Sequence, residues 1–506
     1  MTATHRLLAG ASIGMLAALG AAAGPGSPAT AQPAPASGAC AALSGAGLFS
    51  QTTVSTVQSV AADPTKGLPA YCEVVATVSP AAGSTIGVVY RLPEAWNGKL
   101  LGLGGGGWAG NTRIESAAQG LKGGYATAQT DGGHSAANVW DTSWAANPEA
   151  VTDFSYRAIH LMTVVGKEVA ARYYGRPQQK AYFEGCSTGG RQGLMEVQRF
   201  PADYDGVISG APVYSLQVQT SAVIRNQTFG SAQPGFDESK LQLVNQAALK
   251  ACDAKDGLAD GIITNPLLCR WDPGELRCKP GEARAQSCLS DSEVKALRTA
   301  YAGVKLSDGR VAAWPLARGG EVGWSRFMQI SGTTRDATNG GGLGGLRGPI
   351  LGDPNYDMSK FDAARDVPRI EDSAFAKGYD ASDPAIGRFT SRGGKLLLWH
   401  GFYDPGPSPV GTIAYYDKVR AADPGAASAV RLFLAPGVYH CGGGPGPDQI
   451  DQLDALDAWV TTGRAPQTLL ATKAGAKISR PLCPYPAMPH YKGAGDADAA
   501  ASFECR

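Results

Sequence analysis

Gly185-Cys186-Ser187-Thr188-Gly189 is a G-x-S-x-G pentapeptide. In that pattern a serine sits on a tight, strained turn between a strand and a helix. Its hydroxyl then stands clear of the sheet and can attack an acyl carbon. The context agrees, because 182–184 is a β-prone run and 190–199 reads as a helix. A serine hydroxyl needs a base, and the base needs an acid to orient it. On this kind of scaffold the order along the chain is serine, acid, histidine. Three histidines follow Ser187: His400, His440 and His490. His400 ends a strand-like run too early for that order, and His490 lies in an irregular tail. His440, in "GVYHCGGG", comes just after the last strand-like run and is the expected base. Asp404, in "HGFYDPG", follows the preceding run and is the expected acid. The competing readings are that Asp404 only forms an Asp-Pro turn, and that Asp417 is the acid.

Cys186 precedes the serine and Cys441 follows the histidine. A Ser187–His440 hydrogen bond of roughly 3 Å brings these chain neighbours close together. A disulfide spans Cα atoms about 4.4–6.8 Å apart, so a Cys186–Cys441 bridge is expected, with Cys186 a staple rather than a thiol nucleophile. Acyl transfer also needs donors for the oxyanion. One is expected from the Thr188 N–H at the start of the helix. The other is expected from "GLGGGGWAG" at 102–110, at Gly106, with Gly107 as the neighbouring alternative. A phosphate cradle is disfavoured because the Lys-Ser/Thr of a P-loop is missing.

A second constellation is "CDAKDGLADGIITNPLLC" at 252–269. Asp253, Asp256 and Asp260 are hard oxygen ligands, and Gly257 and Gly261 allow turns that aim the Leu258 and Ile262 carbonyls inward. That donor set suits calcium in a structural role. The spacing is not that of an EF-hand, and a solvated Asp-Gly turn is the plain alternative. A Cys252–Cys269 bridge would close the loop.

These residues need a scaffold. Strand-like runs at 86–91, 99–105 and 124–130, an amphipathic helix over 152–173, then strand, turn and helix around Ser187 describe an α/β sheet. The texture changes over 213–390, which carries four cysteines, the acidic loop and the glycine-rich "NGGGLGGLRG" at 339–348. Alternation returns at 395–401, 410–422, 429–437 and 449–462. The expected architecture is an α/β-hydrolase core, 32–212 and 391–506, with an inserted lid domain at 213–390. Arg6, the apolar stretch from Leu7 to Ala23 and Ala29-Thr30-Ala31 predict a signal peptide over 1–31. Lipid attachment at Cys40 is a weaker option, since Ser37-Gly38-Ala39 lacks the usual leucine-like residue.

The full chain of 506 residues is 43% hydrophobic and 18% charged, with a formal net charge of +1. Such a chain is globular rather than disordered, carries no basic tract for nucleic acid, and has no later run able to span a bilayer. Its ten cysteines, an even count without C-x-x-C pairs, predict five disulfides in a secreted or periplasmic protein. Lesser candidates are His134 and His160, read mainly as structural. Trp108, Trp314, Trp324, Phe327 and Phe361 would line a pocket or simply pack. Arg347 would meet a carboxylate or phenol.

"GCSTGGRQGLMEVQRFPADYDGVISGAP" at 185–212, "ACDAKDGLADGIITNP" at 251–266, "HGFYD" at 400–404 and "HCGGG" at 440–444 resemble the tannase/feruloyl esterase family of secreted α/β hydrolases. The resemblance spans about 40 to 505. It implies catalytic Ser187, Asp404 and His440 and a calcium-bearing lid. It also implies disulfides Cys278–Cys288 and Cys483–Cys505 beside Cys252–Cys269, leaving Cys40 with Cys72. The implied activity is hydrolysis of small aromatic carboxylic esters of the feruloyl type through an acyl-enzyme. Galloyl esters and mono(hydroxyethyl) terephthalate are the alternative substrates. An inactive, calcium-stabilised binder of aromatic ligands is the reading from another class. The lid is where the sequence departs most from the family, so the resemblance fixes the reaction more firmly than the substrate.

Overall fold

The computed structural model describes residues 38–232, 234–280, 287–328 and 343–506. The expected signal peptide and the first four residues of the glycine-rich stretch, 339–342, lie outside them. Nine strands form one mixed sheet. Five are parallel neighbours and carry the site, in the spatial order Ala126–Thr130, Lys99–Leu103, Lys180–Cys186, Gly206–Gly210, Lys395–Gly401, with Val430–Ala435 parallel at the edge. Their sequences are near-continuous apolar runs because helices cover both faces. Leu100, Phe183, Val207, Leu396 and Leu432 lie in one buried cluster, and Leu101, Tyr182, Ile208, Leu397 and Phe433 in another.

Three further strands, Thr52–Val60, Tyr71–Val78 and Ile86–Pro93, extend the other edge as antiparallel partners. The expected helix over 152–173 is Ala158–Tyr174, preceded by a π-helical turn at Asp153–Arg157. His160 on this helix is structural. Its Nδ1 lies 2.7 Å from Asp203 Oδ2, and its ring stacks on Phe200. Glu196 completes a cluster with them. Burial, with the charge of Asp203 beside it, pushes the Glu196 carboxyl well up.

Residues 213–390 enter between the adjacent strands Gly206–Gly210 and Lys395–Gly401. They do not form a loose cover. One buried cluster joins Phe229, Phe236, Trp271, Tyr301 and Trp324 to Tyr403 and Tyr439, the chain neighbours of Asp404 and His440. A second joins Leu216, Phe361, Phe375 and Tyr379 to Trp108, Trp144 and Phe154 of the sheet's loops. Fully burying such a side chain contributes about 1.5–3 kcal/mol, so the insertion is welded to the loops that carry the chemistry.

All five expected bridges are present: Cys40–Cys72, Cys186–Cys441, Cys252–Cys269, Cys278–Cys288 and Cys483–Cys505. Cys40 therefore offers no thiol for a lipid. No helix among the described residues is long and apolar enough to cross a membrane.

The strand end and the helix after Ser187 cross on bare backbone. A Cβ on Gly185 would sit 2.5 Å from the Gly189 carbonyl carbon, and one on Gly104 would sit 2.5 Å from the Gly189 Cα. Overpacking of this kind costs about 1–3 kcal/mol. Gly185→Ala is expected to lower the melting temperature and to cut kcat by displacing Ser187. An unaltered melting temperature and kcat would mean the crossing tolerates a methyl group.

Candidate active site

Ser187 closes the strand Lys180–Cys186 and caps the helix Thr188–Arg199 with φ 64° and ψ −122°. A non-glycine residue held there costs about 1–3 kcal/mol, so the surroundings must impose it. Ser187 N–H donates to the Gly210 carbonyl at 2.9 Å. The Ser187 carbonyl accepts from Arg191 N–H at 3.0 Å and Val213 N–H at 3.2 Å. The adjacent Cys186 is bonded to Cys441, with Cα atoms 6.0 Å apart across 255 residues.

His440 lies on the loop after the strand Val430–Ala435, and its Nδ1 is 2.6 Å from Asp404 Oδ2. That contact leaves Nε2 as the ring nitrogen available to a hydroxyl. Asp404 follows the strand Lys395–Gly401 and is 1% exposed. Burial alone would raise its carboxyl, but the His440 and His400 imidazoles outweigh burial and hold it below the usual range. A depressed carboxylate stabilises the fold above its ordinary pKa, and that contribution disappears as pH falls through the folded value. Gly406 N–H donates to Asp404 Oδ1 at 2.8 Å. The competing acid, Asp417, is exposed on the helix Pro409–Ala422.

His400, set aside on sequence grounds, belongs to this network. Its Nε2 is 3.1 Å from Asp404 Oδ2, and its Nδ1 is 2.8 Å from Thr412 Oγ1. The four-residue spacing in "HGFYD" was the available signal.

The glycine loop expected to supply an oxyanion donor has most of its N–H groups engaged. Gly106 N–H is spent on the Ala109 carbonyl at 3.1 Å, because 106–109 closes a tight turn. Gly104, Gly105 and Trp108 N–H groups are likewise engaged, by Glu184, Gln192 and Val139. Gly107 N–H has no partner among the described residues. It has φ +60°, and a Cβ there would lie 2.2 Å from the Val139 carbonyl oxygen, so only glycine fits. Thr188 Oγ1 donates to the Gly107 carbonyl at 2.6 Å. Among the described residues the Gly107 and Thr188 N–H groups are the pair left open beside Ser187 on the cavity.

Ser187, His440, Gly107 and Thr188 share one cavity of about 470 Å³ with Trp108, Val213, Val218, Phe327 and the exposed Val139 and Trp140. Phe327 meets the His440 ring edge-on at 5.0 Å. Of the other aromatic candidates, Trp324 and Phe361 pack in the insertion's cores, and Trp314 donates to Gln217 Oε1. His134 lies behind the cavity, bonded through Nε2 to the Trp108 carbonyl at 2.7 Å and stacked on Trp144. Arg347 donates to the Tyr356 carbonyl and is not among the cavity's lining residues. Sequence reading missed Gln219 and Arg225, which reach the cavity from the helix Gln217–Gly230.

Replacing both Cys186 and Cys441 by alanine is expected to reduce stability. The chain-entropy model gives roughly 5 kcal/mol for a loop of this length. The kcat is expected to fall more than KM rises, because Ser187 and His440 lose their common anchor. A double variant with unchanged kcat and melting temperature would show that the bridge positions nothing.

Residues 72–506 match the family model described as tannase and feruloyl esterase. The chain is 35% identical to mono(2-hydroxyethyl) terephthalate hydrolase of Piscinibacter sakaiensis, covering 87% of this chain and 85% of that one. It is 34% identical to a probable feruloyl esterase of Arthroderma benhamiae, covering 83% and 82%. The crystal structure of feruloyl esterase B from Aspergillus oryzae superimposes with a TM-score of 0.81 at 27% identity, over 90% of this chain and 97% of that one. With an α/β fold and this length of match, the chain belongs to the tannase and feruloyl esterase family and is a carboxylic ester hydrolase.

Proposed function

We propose that the protein is an exported serine esterase acting on aromatic carboxylic esters, with feruloyl-type acyl groups the first choice. The observation that carries the serine mechanism is the 2.6 Å contact between His440 Nδ1 and a buried Asp404, in the same cavity wall as the strained Ser187. His440 Nε2 takes the Ser187 proton as Oγ bonds to the ester carbonyl carbon. The carbonyl oxygen becomes an oxyanion held by the Gly107 and Thr188 N–H groups. Collapse breaks the ester C–O bond, and the alcohol leaves with the proton from His440. Water, deprotonated by His440, then attacks the acyl-enzyme and releases the acid and Ser187. Asp404 orients the imidazole throughout and stays ionised.

The aromatic preference rests on the cavity's Trp108, Val213, Val218 and Phe327 and on the substrates named in the relatives. Five disulfides require an oxidising compartment, which supports export.

Ser187→Ala is expected to abolish hydrolysis of methyl ferulate and p-nitrophenyl acetate while the melting temperature holds. Residual wild-type rates would discard the nucleophile. Methyl ferulate, methyl gallate and mono(hydroxyethyl) terephthalate compared by kcat/KM rank the acyl groups. Failure of a serine-directed inhibitor to label the wild type would favour a binding protein.

We also propose structural calcium in the insertion. Asp253 Oδ1 is buried without a hydrogen-bond partner among the described residues. Burial, with Asp260 adding to it, pushes the Asp253 and Asp256 carboxyls up. Among the described residues no protein donor is bonded to the Leu258 or Ile262 carbonyls. These oxygens fit a hard cation. The fit has a competitor, since Asp260 Oδ2 accepts from Arg480 at 2.7 Å, and the three carboxylates do not gather within 4.8 Å of one another. Chelation is expected to lower the melting temperature, and added calcium to restore it. Identical melting curves with and without chelator would remove calcium from the account.

A further inference from the structure

Val218, Gln219, Ala222 and Arg225 face the active-site cavity from the helix Gln217–Gly230. Most polar side chains lining that cavity, outside the triad, are spent inside the protein. Asn111 donates to Ser116 Oγ at 2.7 Å and accepts from Arg113 N–H at 3.1 Å. Thr188 Oγ1 is given to Gly107. Arg225 donates to the carbonyls of Pro405, Gly406 and Trp314 at 2.9–3.0 Å. Gln219 is the exception. The residue is 8% exposed, and its Oε1 is buried with no hydrogen-bond partner among the described residues. Gln217, two positions earlier on the same helix, gives the contrast. Its Nε2 donates to the Val311 carbonyl and its Oε1 accepts from Trp314 Nε1.

A buried acceptor left without a donor is unfavourable, and native proteins retain few such groups away from function. In an apolar cavity beside a nucleophile, the missing donor is a group on the ligand. A ring that is apolar over most of its surface and carries one hydrogen-bond donor matches both demands, and a phenol is that chemistry. We propose that Gln219 is a specificity-determining residue whose carbonyl accepts a hydrogen bond from a phenolic hydroxyl of the substrate. The proposal rests on the esterase reading of the same cavity and deepens it. Esters with a free ring hydroxyl are the favoured class, and their methyl ethers, which fill similar space but cannot donate, are disfavoured.

The test compares kcat/KM for methyl 3-hydroxycinnamate and methyl 4-hydroxycinnamate, each against its methoxy counterpart, in the wild type, Gln219→Leu and Gln217→Leu. In the wild type one hydroxylated isomer is expected to exceed its methyl ether by roughly ten- to a hundredfold, the scale set by a buried group left unpaired. In Gln219→Leu that ratio is expected to fall to near unity, and in Gln217→Leu to persist. Where the leucine variant does not fold, Gln219→Met keeps the side-chain length without the acceptor and serves in its place. A wild-type ratio near unity, a preference for the methyl ethers, or a ratio that survives the loss of the amide overturns the assignment to Gln219. In each of these cases the cinnamates are still hydrolysed, so the esterase reading stands. No turnover of any cinnamate by the wild type overturns the substrate reading and this inference with it.

Discussion

The Cys186–Cys441 bond is the constraint on which the site depends. Ser187 occupies a backbone conformation that a serine avoids, and His440 sits on a loop of left-handed residues, with Cys441, Gly442, Gly443 and Gly444 all at positive φ. Neither loop has a regular element of its own at the critical position. Parallel strands bring their carboxyl ends to one edge of the sheet, where crossover loops meet, but that sets position only to within a loop's freedom. The covalent bridge across 255 residues removes that freedom on the two residues adjoining nucleophile and base. The strain at Ser187 is then held by backbone hydrogen bonds on one side and by a bond to the base loop on the other.

The insertion extends the same logic. Tyr403 and Tyr439, flanking Asp404 and His440, are buried in the insertion's own hydrophobic cluster. Trp108, next to the oxyanion loop, is buried in the other. A change in the insertion's packing therefore reaches acid, base and oxyanion loop through direct contact. The insertion and the loops that carry the candidate site share two hydrophobic cores, the packed support a precise catalytic geometry needs.

Much of this was legible in the sequence for a physical reason. A nucleophile elbow demands small residues at fixed offsets, and a cysteine beside each of two reacting residues makes their pairing geometrically natural. What escaped depends on directions the one-dimensional pattern does not carry. Gly106 and Gly107 are indistinguishable by type, yet the turn that closes on Ala109 consumes the first N–H and leaves the second. The edge strand Thr52–Val60 reads "TTVSTVQSV", a half-exposed polar alternation that looks like loop. Gly206–Gly210, "GVISG", is short and framed by glycine, so its burial between two strands was not apparent. The cavity face of Gln217–Gly230 was hidden because that helix is buried nearly all round and lacks an apolar stripe.

Arg225 brings a buried cation from the insertion to the turn that holds Asp404. Asp404 is fully enclosed, and an isolated buried carboxylate would pick up a proton or draw one onto a neighbouring imidazole. The Arg225 guanidinium is itself buried, and burial pulls it down to about 10, with the attraction of Asp404 opposing the fall. At neutral pH it therefore stays charged. Its bonds to the Pro405 and Gly406 carbonyls place that positive charge on the turn whose Gly406 N–H holds Asp404 Oδ1. The enclosed carboxylate thus has the Gly406 N–H, two imidazole contacts and a cation bonded to its own turn. His440 commits Nδ1 to Asp404, which leaves Nε2 as the ring nitrogen that can act on a hydroxyl. A helix from the insertion, far from Ser187, Asp404 and His440 in sequence, thus braces the turn that carries the acid.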